Sequence, residues 1–330
     1  MKMPKNPASQ NRDELISGVT DVLAKAGFFL AECRGVRSIT FDVIARRDRD
    51  LLLIKVLRNV DGFSRENGEE MKRVANALDG KPIIVGLHSG GGMLEDGIVY
   101  SRFEIPIITP STLEDEFLEG VPPFVMAEPG GLYVKIDGEL LRRLREEMDI
   151  SLGAMSEIAG VSRRAIQMYE CGMKAVIDVA QRFEEFFNMP FVLPFEDWRT
   201  GETRHEQWSK DFDDFAGFDG EVYKMLSEIG CSVLPTKHSV FDALTKDRES
   251  LYIAWLAGDI GDFHGKIEVL DNIIRITERD AILFVERNTE KGNVKGIPVV
   301  DREDLMKLQF PEELAEYARE KRSGRLAGQD

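Results

Sequence analysis

The segment 151-SLGAMSEIAGVSRRAIQMYECG-172 predicts two short helices that are joined by a tight turn. Ser151 and Ser162 each precede a helical run, and serine is a favoured N-cap because its hydroxyl accepts a hydrogen bond from an unpaired amide of the first turn. Gly160 separates the two runs, and glycine suits the left-handed residue at which a helix ends. This pattern is typical of a helix-turn-helix, whose second helix enters the major groove of DNA.

Helical periodicity continues on both sides of this pair. We expect helices over 139–150, 152–159, 163–170 and 176–187. Apolar residues recur at helical spacing in the two outer helices, namely Leu140, Leu144 and Met148 in the first and Val176, Val179, Phe183 and Phe186 in the last. The sequence therefore predicts an all-α domain over 132–190 in the middle of the chain.

The spacing within the central pair resembles the Cro/phage-repressor helix-turn-helix family. With Leu152 as position one, Gly160 is ninth, and the apolar tenth, fifteenth and eighteenth positions are Val161, Ile166 and Tyr169. The resemblance implies that Arg145 of the preceding helix pairs with Glu170 at the end of the recognition helix. Leu152 departs from the family, which often has a phosphate-contacting glutamine there.

The first turn of the second helix carries the candidate DNA-binding residues, Ser162, Arg163, Arg164 and Gln167. Arginine can bind guanine through two hydrogen bonds, and glutamine can do the same for adenine. The other interpretation is that these are solvated polar residues. The surrounding pattern favours base reading, and with it double-stranded DNA as the partner.

The charge balance limits how the chain could bind DNA. Its 330 residues carry a formal net charge of −16, which argues against non-specific coating of nucleic acid. Residues 138–174 contain six basic and six acidic side chains, so this segment is neutral. We therefore expect modest phosphate affinity with a strong dependence on salt.

A repeat flanks the central segment. Residues 41-FDVIARRDRDLLLIKVL-57 and 241-FDALTKDRESLYIAWLA-257 align at an offset of 200. Each copy is preceded by a helix ending in glycine and followed by a helix, two strands and a further helix start. Ser111 and Glu114 predict a capping box at that start in the first copy. The alternation predicts a duplicated α/β fold with a mixed sheet.

The first copy, over about 12–90, resembles the restriction-endonuclease-like fold and in particular the archaeal Holliday-junction resolvases. In that family a helix glutamate, an aspartate and an E-x-K pair bind divalent metal and activate water. The resemblance places Glu14, Asp42 and Lys55 at these positions, whereas Leu53 replaces the glutamate of the E-x-K pair.

The second copy departs further from the nuclease pattern. Asp242 remains, but Ile253 and Trp255 fill its E-x-K positions. We therefore expect vestigial nuclease sites, with no catalytic residues and no bound metal. The alternative is an active nuclease whose missing ligand comes from elsewhere in the chain.

Composition excludes other classes of protein. Cys33, Cys171 and Cys231 are odd in number and far apart, and the four histidines are scattered, so we expect neither a disulfide framework nor a zinc site, and no cofactor. No apolar run approaches the ~20 residues that span a bilayer, and the N-terminus lacks an apolar signal core. We expect a cytoplasmic protein that does not bind membranes.

The whole layout resembles a family of archaeal helix-turn-helix transcriptional regulators, and 131-GLYVKIDGELLRRLREEMDISLG-153 is typical of it. The expected fold class is α/β plus all-α, with two restriction-endonuclease-like mixed-sheet domains, 1–120 and 216–320, flanking a central helix-turn-helix bundle over 132–190.

These features favour one function and leave two others open. We expect a sequence-specific DNA-binding transcriptional regulator, not an enzyme, which acts as a homodimer and reads the major groove with helix 163–170. The alternative is a metal-dependent DNA nuclease or junction-binding protein that its helix-turn-helix targets. The third is an interaction scaffold for an unknown protein partner or ligand.

Overall fold

The computed structural model describes residues 11–33, 40–195, 208–209, 211–263, 267–287 and 292–322. The chain divides into two compact units. The first unit consists of Met1–Gly27, Val56–Ser64 and Pro82–Glu202, and the second of Phe28–Lys55, Arg65–Lys81 and Thr203–Asp330. Both contain helices and strands, so the mixed α/β part of the expected fold class is confirmed. The segment 132–190, which the sequence predicts to be all-α, also contains strand residues at 132–136 and 175–176. The sequence-based domain boundaries stay a prediction.

The helices and strands have the following bounds. The α-helices of the described residues are α1 Arg12–Lys25, α2 Arg65–Ala77, α3 Pro110–Glu114, α4 Gly138–Glu147, α5 Leu152–Ala159, α6 Arg163–Glu170, α7 Ile177–Phe187, α8 Gly217–Glu228, α9 Ile267–Thr277, α10 Arg302–Leu305 and α11 Pro311–Arg322. The strands are β1 Phe29–Glu32, β2 Val43–Arg47, β3 Asp50–Asn59, β4 Lys81–Ser89, β5 Gly92–Met93, β6 Ile98–Arg102, β7 Ile105–Ile108, β8 Val125–Glu128, β9 Gly131–Ile136, β10 Ala175–Val176, β11 Val192–Leu193, β12 Ser232–Pro235, β13 Ala243–Lys246, β14 Leu251–Ala257, β15 Asp280–Val285, β16 Asn293–Val294 and β17 Ile297–Asp301.

The first unit carries the predicted helical segment on a β-hairpin. Strands β8 and β9 are antiparallel, and β8 joins the sheet of β4, β7 and β6 by pairing in parallel with β6. Helices α4 to α6 follow β9, β10 pairs back with β9 before α7, and β11 pairs with β9 after it. The four helices are therefore held at both ends by strand pairing.

The proline- and glycine-rich composition of 119–131 predicts a linker, but the segment takes part in the sheet. It contains all of β8, because Pro122 and Pro123 precede the strand and Pro129 follows it, so every residue of the strand keeps an amide that can pair. Gly130 in the turn before β9 and Gly131 at the start of β9 have positive φ values, 105° and 145°.

One apolar core unites the four helices with the hairpin. It consists of Val134 and Ile136 from β9, together with Leu141, Met155, Ala159, Ile166, Tyr169, Ala175, Val179, Ala180, Phe183 and Phe191. Tyr169 of α6 packs edge-on against Phe183 of α7, with ring centroids 6.2 Å apart. Burial of these side chains, more than the propensity of such short helices, keeps α5 and α6 folded.

The second unit contains two sets of strands with matching register. In the first set β1, β2 and β3 are antiparallel neighbours; in the second set β12, β13 and β14 are. Val43 faces Ile54 in the first set, and Ala243 faces Ala254 in the second. Each pair differs from its counterpart by 200 in residue number, so the sequence repeat and the strand register coincide.

Corresponding residues of the two sets also pack against each other. The Phe41 and Phe241 rings are buried, with centroids 6.4 Å apart. The Thr40 amide donates to the His238 carbonyl over 3.3 Å, and α9 packs against β1 and β2. Corresponding surfaces of the two sets of strands therefore contact each other within the second unit, as corresponding surfaces do in an isologous dimer.

Candidate nucleic-acid interface

The turn between α5 and α6 is fixed by serine caps and a left-handed glycine. The Ser151 and Ser162 hydroxyls each accept a hydrogen bond of 3.1 Å, from the amides of Ala154 and Ala165. Gly160 has φ 69° and ψ 33°, a conformation that costs other L-residues about 1 kcal/mol or more. The two helices begin and end at the residues that the sequence predicts.

Arg182 of α7 gives Gly160 a second role. Its guanidinium donates to the Ala159 carbonyl over 2.6 Å, at the end of α5. A Cβ atom on Gly160 would lie 2.6 Å from the Arg182 Nη1 atom. The glycine therefore leaves room for a cation that satisfies a carbonyl at the negative end of the helix. The sequence pattern did not identify Arg182, because its partner lies 23 residues away.

Helix α6 has one buried face and one exposed face. Ile166 and Tyr169 belong to the core. The predicted DNA-binding residues, Ser162, Arg163, Arg164 and Gln167, are all exposed. Their exposure agrees with access to a groove, while their role in reading bases stays a prediction.

Arg163 occupies a different position from Arg164. A Cβ atom on Gly153 would lie 3.1–3.3 Å from the Arg163 guanidinium, so this side chain extends over the first turn of α5. Arg164 and Gln167 are three residues apart and thus neighbours on the helix surface. The first turn of α6 therefore divides into a flank beside α5 and an outward face.

Arg145 and Glu170 form the ion pair that the sequence predicts. The Arg145 Nε and Nη2 atoms donate to the two carboxylate oxygens of Glu170 over 2.6 and 3.2 Å, and Nη1 donates to the Ile150 carbonyl over 3.2 Å. Only 13% of the Arg145 side chain and 9% of the Glu170 side chain are exposed. The hydrogen bond to Glu170 raises the pKa of Arg145 further above its ordinary value, so the guanidinium stays charged.

Gly138, which the sequence analysis missed, lets α4 approach α6 closely. A Cβ atom at this position would lie 2.3 Å from the Tyr169 carbonyl oxygen and 3.0 Å from the Glu170 backbone. Neither backbone group can rotate away as a side chain would, so a larger residue would force the two helices apart. The pair that joins Arg145 to Glu170 depends on this approach.

In the second unit, the nuclease-like residues Asp42 and Lys55 are buried together. The Lys55 Nζ atom donates to Asp42 Oδ1 over 3.3 Å. Burial raises the pKa of the neighbouring Cys33 thiol, and the Asp42 carboxylate adds to this effect. The thiol is therefore neutral, and poorly suited to act as a metal ligand or nucleophile.

Leu53 and Glu14 are placed differently from metal ligands. Leu53 is completely buried, and its Cδ1 atom lies 2.7 Å from where a Cβ of Gly80 would stand. Glu14 is exposed and closes a capping box with Asn11 at the start of α1. Leu53 thus fills space in the core, and Glu14 stabilises its own helix end.

In the second copy, the residues at the equivalent positions make structural contacts. Trp255 and Ile253 are buried, and the Trp255 indole donates to the Val240 carbonyl over 2.9 Å. One carboxylate oxygen of Asp242 accepts from the Leu256 amide over 2.7 Å. In the described part of the chain, no group of three or more His, Cys, Asp and Glu side chains could hold a metal ion.

The chain is similar to proteins of two kinds. Residues 12–123 match the PD-(D/E)XK superfamily domain. A relative from Halorubrum lacusprofundi, named "Putative HTH-type transcriptional regulatory protein", is 36% identical over 94% of this chain and 98% of its own. A Pyrococcus horikoshii relative, named "Putative HTH-type transcriptional regulatory protein PH1808", is 35% identical over 94% of this chain and 98% of its own. No solved structure matches the chain.

Over residues 12–123, the chain is similar to the PD-(D/E)XK superfamily domain. Over nearly its whole length, the chain belongs to the archaeal family of proteins named "Putative HTH-type transcriptional regulatory protein". None of the helices that the structure describes is long and apolar enough to cross a membrane.

Proposed function

We propose that the protein is a sequence-specific DNA-binding transcriptional regulator, with α5 and α6 as its helix-turn-helix. The observation that carries the proposal is the outward face of α6, where Arg164 and Gln167 are exposed on a helix that core packing and the Arg145–Glu170 pair hold in place. Arginine and glutamine at the start of such a helix can form paired hydrogen bonds with guanine and adenine. The names of the relatives support this proposal.

Arg163 contributes in a different way. Because its guanidinium lies over the first turn of α5, it faces the side where backbone contacts of this class of module are made. We assign Arg163 and Ser162 to DNA-backbone positioning, and Arg164 and Gln167 to base reading. Leu152 lacks a polar group for a phosphate contact, and Arg163 compensates for it.

We further propose that the regulator acts as a homodimer that reads two half-sites about one helical turn, ~34 Å, apart. One recognition helix contacts too few bases for a strong preference, since each good paired contact contributes about 1–3 kcal/mol. Selection from a randomised DNA pool should therefore yield an inverted repeat. A single asymmetric half-site would contradict the dimer and leave the helix-turn-helix assignment standing.

Replacing Arg164 by alanine should weaken binding to the selected duplex by about 5- to 150-fold, because one paired base contact is lost. Affinity for a random duplex should fall only slightly, since the lost group contributes one charge to non-specific attraction. Titration of both duplexes at a fixed salt concentration measures the two effects.

The matched control for this variant is Arg275→Ala, which removes the same charge from the exposed surface of α9. It should leave both affinities close to wild type. Equal losses on the two duplexes in Arg164→Ala would contradict base reading by this residue. Absence of DNA binding even at low salt would favour the scaffold hypothesis.

The flanking nuclease-like copies serve, in this proposal, as a scaffold that arose by internal duplication. Strand register repeats with an offset of 200, and like surfaces meet at Phe41 and Phe241. Both copies differ from active nucleases where a metal ligand would be expected, since Leu53 and Ile253 are buried apolar residues. A mixed sheet that lacks its metal ligands still offers a stable platform for the DNA-reading module.

The second candidate function is a metal-dependent nuclease, which the PD-(D/E)XK match and the retained Asp42–Lys55 pair favour. We expect no cleavage of duplex or branched DNA with Mg²⁺ or Mn²⁺, because Leu53 supplies no oxygen ligand and one carboxylate alone binds a divalent cation weakly. Incubation and gel analysis test this directly.

Two variants decide the origin of any cleavage that appears. Asp42→Asn removes the retained carboxylate, and Asp48→Asn changes an exposed turn residue whose left-handed conformation asparagine tolerates. Cleavage that disappears in the first variant and persists in the second would establish the nuclease. Cleavage that both variants retain would identify a contaminant or another site.

A further inference from the structure

Met168 is an exposed methionine on a helix that is otherwise polar on its outer side. Its exposed fraction is 42%. By contrast, Ile166 and Tyr169 of the same helix lie in the core, with exposed fractions of 0% and 5%. The apolar cluster that holds the four helices together does not include Met168. Folding of this module therefore leaves Met168 free for another role.

The position of Met168 places it among the proposed base-reading residues. It follows Arg164 by four residues and Gln167 by one, and side chains four apart on a helix are neighbours. At 3.6 residues per turn, Arg164, Gln167 and Met168 lie on one side of α6, opposite Ile166 and Tyr169. Arg163 is set apart from them because it extends over Gly153.

The major groove presents one apolar group for such a side chain. The C5-methyl of thymine projects into it, and proteins contact this methyl with apolar side chains. A methionine suits the contact because its unbranched, polarisable chain adapts its shape to a neighbour. Arg164 and Gln167 can hydrogen-bond to guanine and adenine, but neither recognises a methyl group.

We propose that Met168 reads the C5-methyl of a thymine beside the bases that Arg164 and Gln167 contact. This inference rests on the proposed function. It assigns a specificity role to a residue without hydrogen-bonding capacity, and it predicts that each half-site contains a thymine whose methyl group affects affinity. A protein partner on the same surface is the competing explanation of the exposed methionine.

The experiment uses the duplex selected from a randomised pool by the full-length protein. Each thymine is replaced in turn by deoxyuridine, which removes the methyl and keeps every hydrogen-bonding group. Wild-type affinity should fall about three- to fivefold at one thymine per half-site, the effect expected for one buried methyl group. In Met168→Ala this difference between thymine and deoxyuridine should disappear.

Met148→Ala is the matched control. Met148 follows α4 and is 55% exposed, so its replacement removes a similar apolar group from outside α6 and should preserve the discrimination. Equal wild-type affinity for thymine and deoxyuridine at every position would overturn the inference. Discrimination that survives in Met168→Ala would also overturn it. If no duplex is enriched, the proposed function itself fails, and the two failures are thus distinguishable.

Discussion

Replacing Glu70 by alanine is expected to lower the free energy of unfolding by about 3–5 kcal/mol. The Glu70 carboxylate, only 3% exposed, accepts hydrogen bonds from four groups of the second unit. These are the Thr40 hydroxyl, the Lys237 and His238 amides and the Ser239 hydroxyl, at 2.9–3.0 Å. Alanine would leave the buried Thr40 hydroxyl and three partly buried donors without their acceptor, and a buried unsatisfied donor costs about 1–3 kcal/mol.

Urea denaturation measures this loss, and two further variants calibrate it. Glu69→Ala removes a neighbouring carboxylate that is half exposed and pairs with Lys72 over 3.1 Å, so its effect should stay within about 0.5 kcal/mol. Glu70→Gln keeps one acceptor oxygen, and its loss should fall between the other two. A Glu70→Ala midpoint equal to that of Glu69→Ala would show that the 237–239 segment does not depend on this carboxylate.

Glu70 also shows where the internal repeat stops being informative. The offset of 200 pairs Phe41 with Phe241 correctly, and the strand registers agree. At the same offset, Glu70 corresponds to Leu270, which is buried in the apolar core. A buried carboxylate needs donors from another segment, and those lie 167–169 residues further along the chain. The repeat therefore predicts the fold of each copy but not the polar contact that joins its segments.

The helices α5 and α6 could be predicted to the residue because their signals are local. Each N-cap serine accepts from an amide three residues later, and Gly160 needs only its own backbone conformation. The same reasoning was wrong at α3, where Ser111 and Glu114 suggested a capping box. Thr109 is the N-cap instead, because Pro110 has no amide hydrogen and fits the first helical position.

The candidate site could be predicted only in part, because its geometry depends on distant residues. The exposed residues of α6 and the Arg145–Glu170 pair follow from the family spacing. The different positions of Arg163 and Arg164 could not be predicted, because Arg163 extends over Gly153, which has no side chain to block it. Gly138 is similar: only the close approach of α4 to the end of α6 gives this glycine its role.

Replacing Arg145 by alanine should destabilise the protein by about 3 kcal/mol, and Glu170→Ala should have a similar effect. Arg145→Ala leaves the mostly buried Glu170 carboxylate without its partner, and Glu170→Ala leaves Arg145 with only the more exposed Glu146 carboxylate at 3.4 Å, and both changes are costly for a mostly buried charge. Arg145→Lys should recover little of the loss, because a lysine ammonium cannot make two parallel hydrogen bonds to one carboxylate. The lysine would also leave the Ile150 carbonyl without the Arg145 Nη1 donor.

A double-mutant cycle isolates the interaction between the two side chains. The double alanine variant should lose less than the sum of the single losses, with a coupling of about 1–3 kcal/mol. The Asp271–Arg275 pair of α9 serves as the control, with an N–O distance of 2.9 Å and side chains that are 35% and 74% exposed. Its coupling should be about 0.3–0.5 kcal/mol, as is usual for exposed pairs one helical turn apart.

The variants of this double-mutant cycle also separate effects on stability from effects on specific DNA binding. Because Arg145 and Glu170 touch no part of the proposed reading face, their loss should weaken specific binding only through the position of α6. Binding to the selected duplex at a temperature where each variant is folded should fall less than in Arg164→Ala, and thymine discrimination should persist. A coupling no larger than that of the control pair would mean that core packing around Ile166 and Tyr169, and not the ion pair, holds α6 in place.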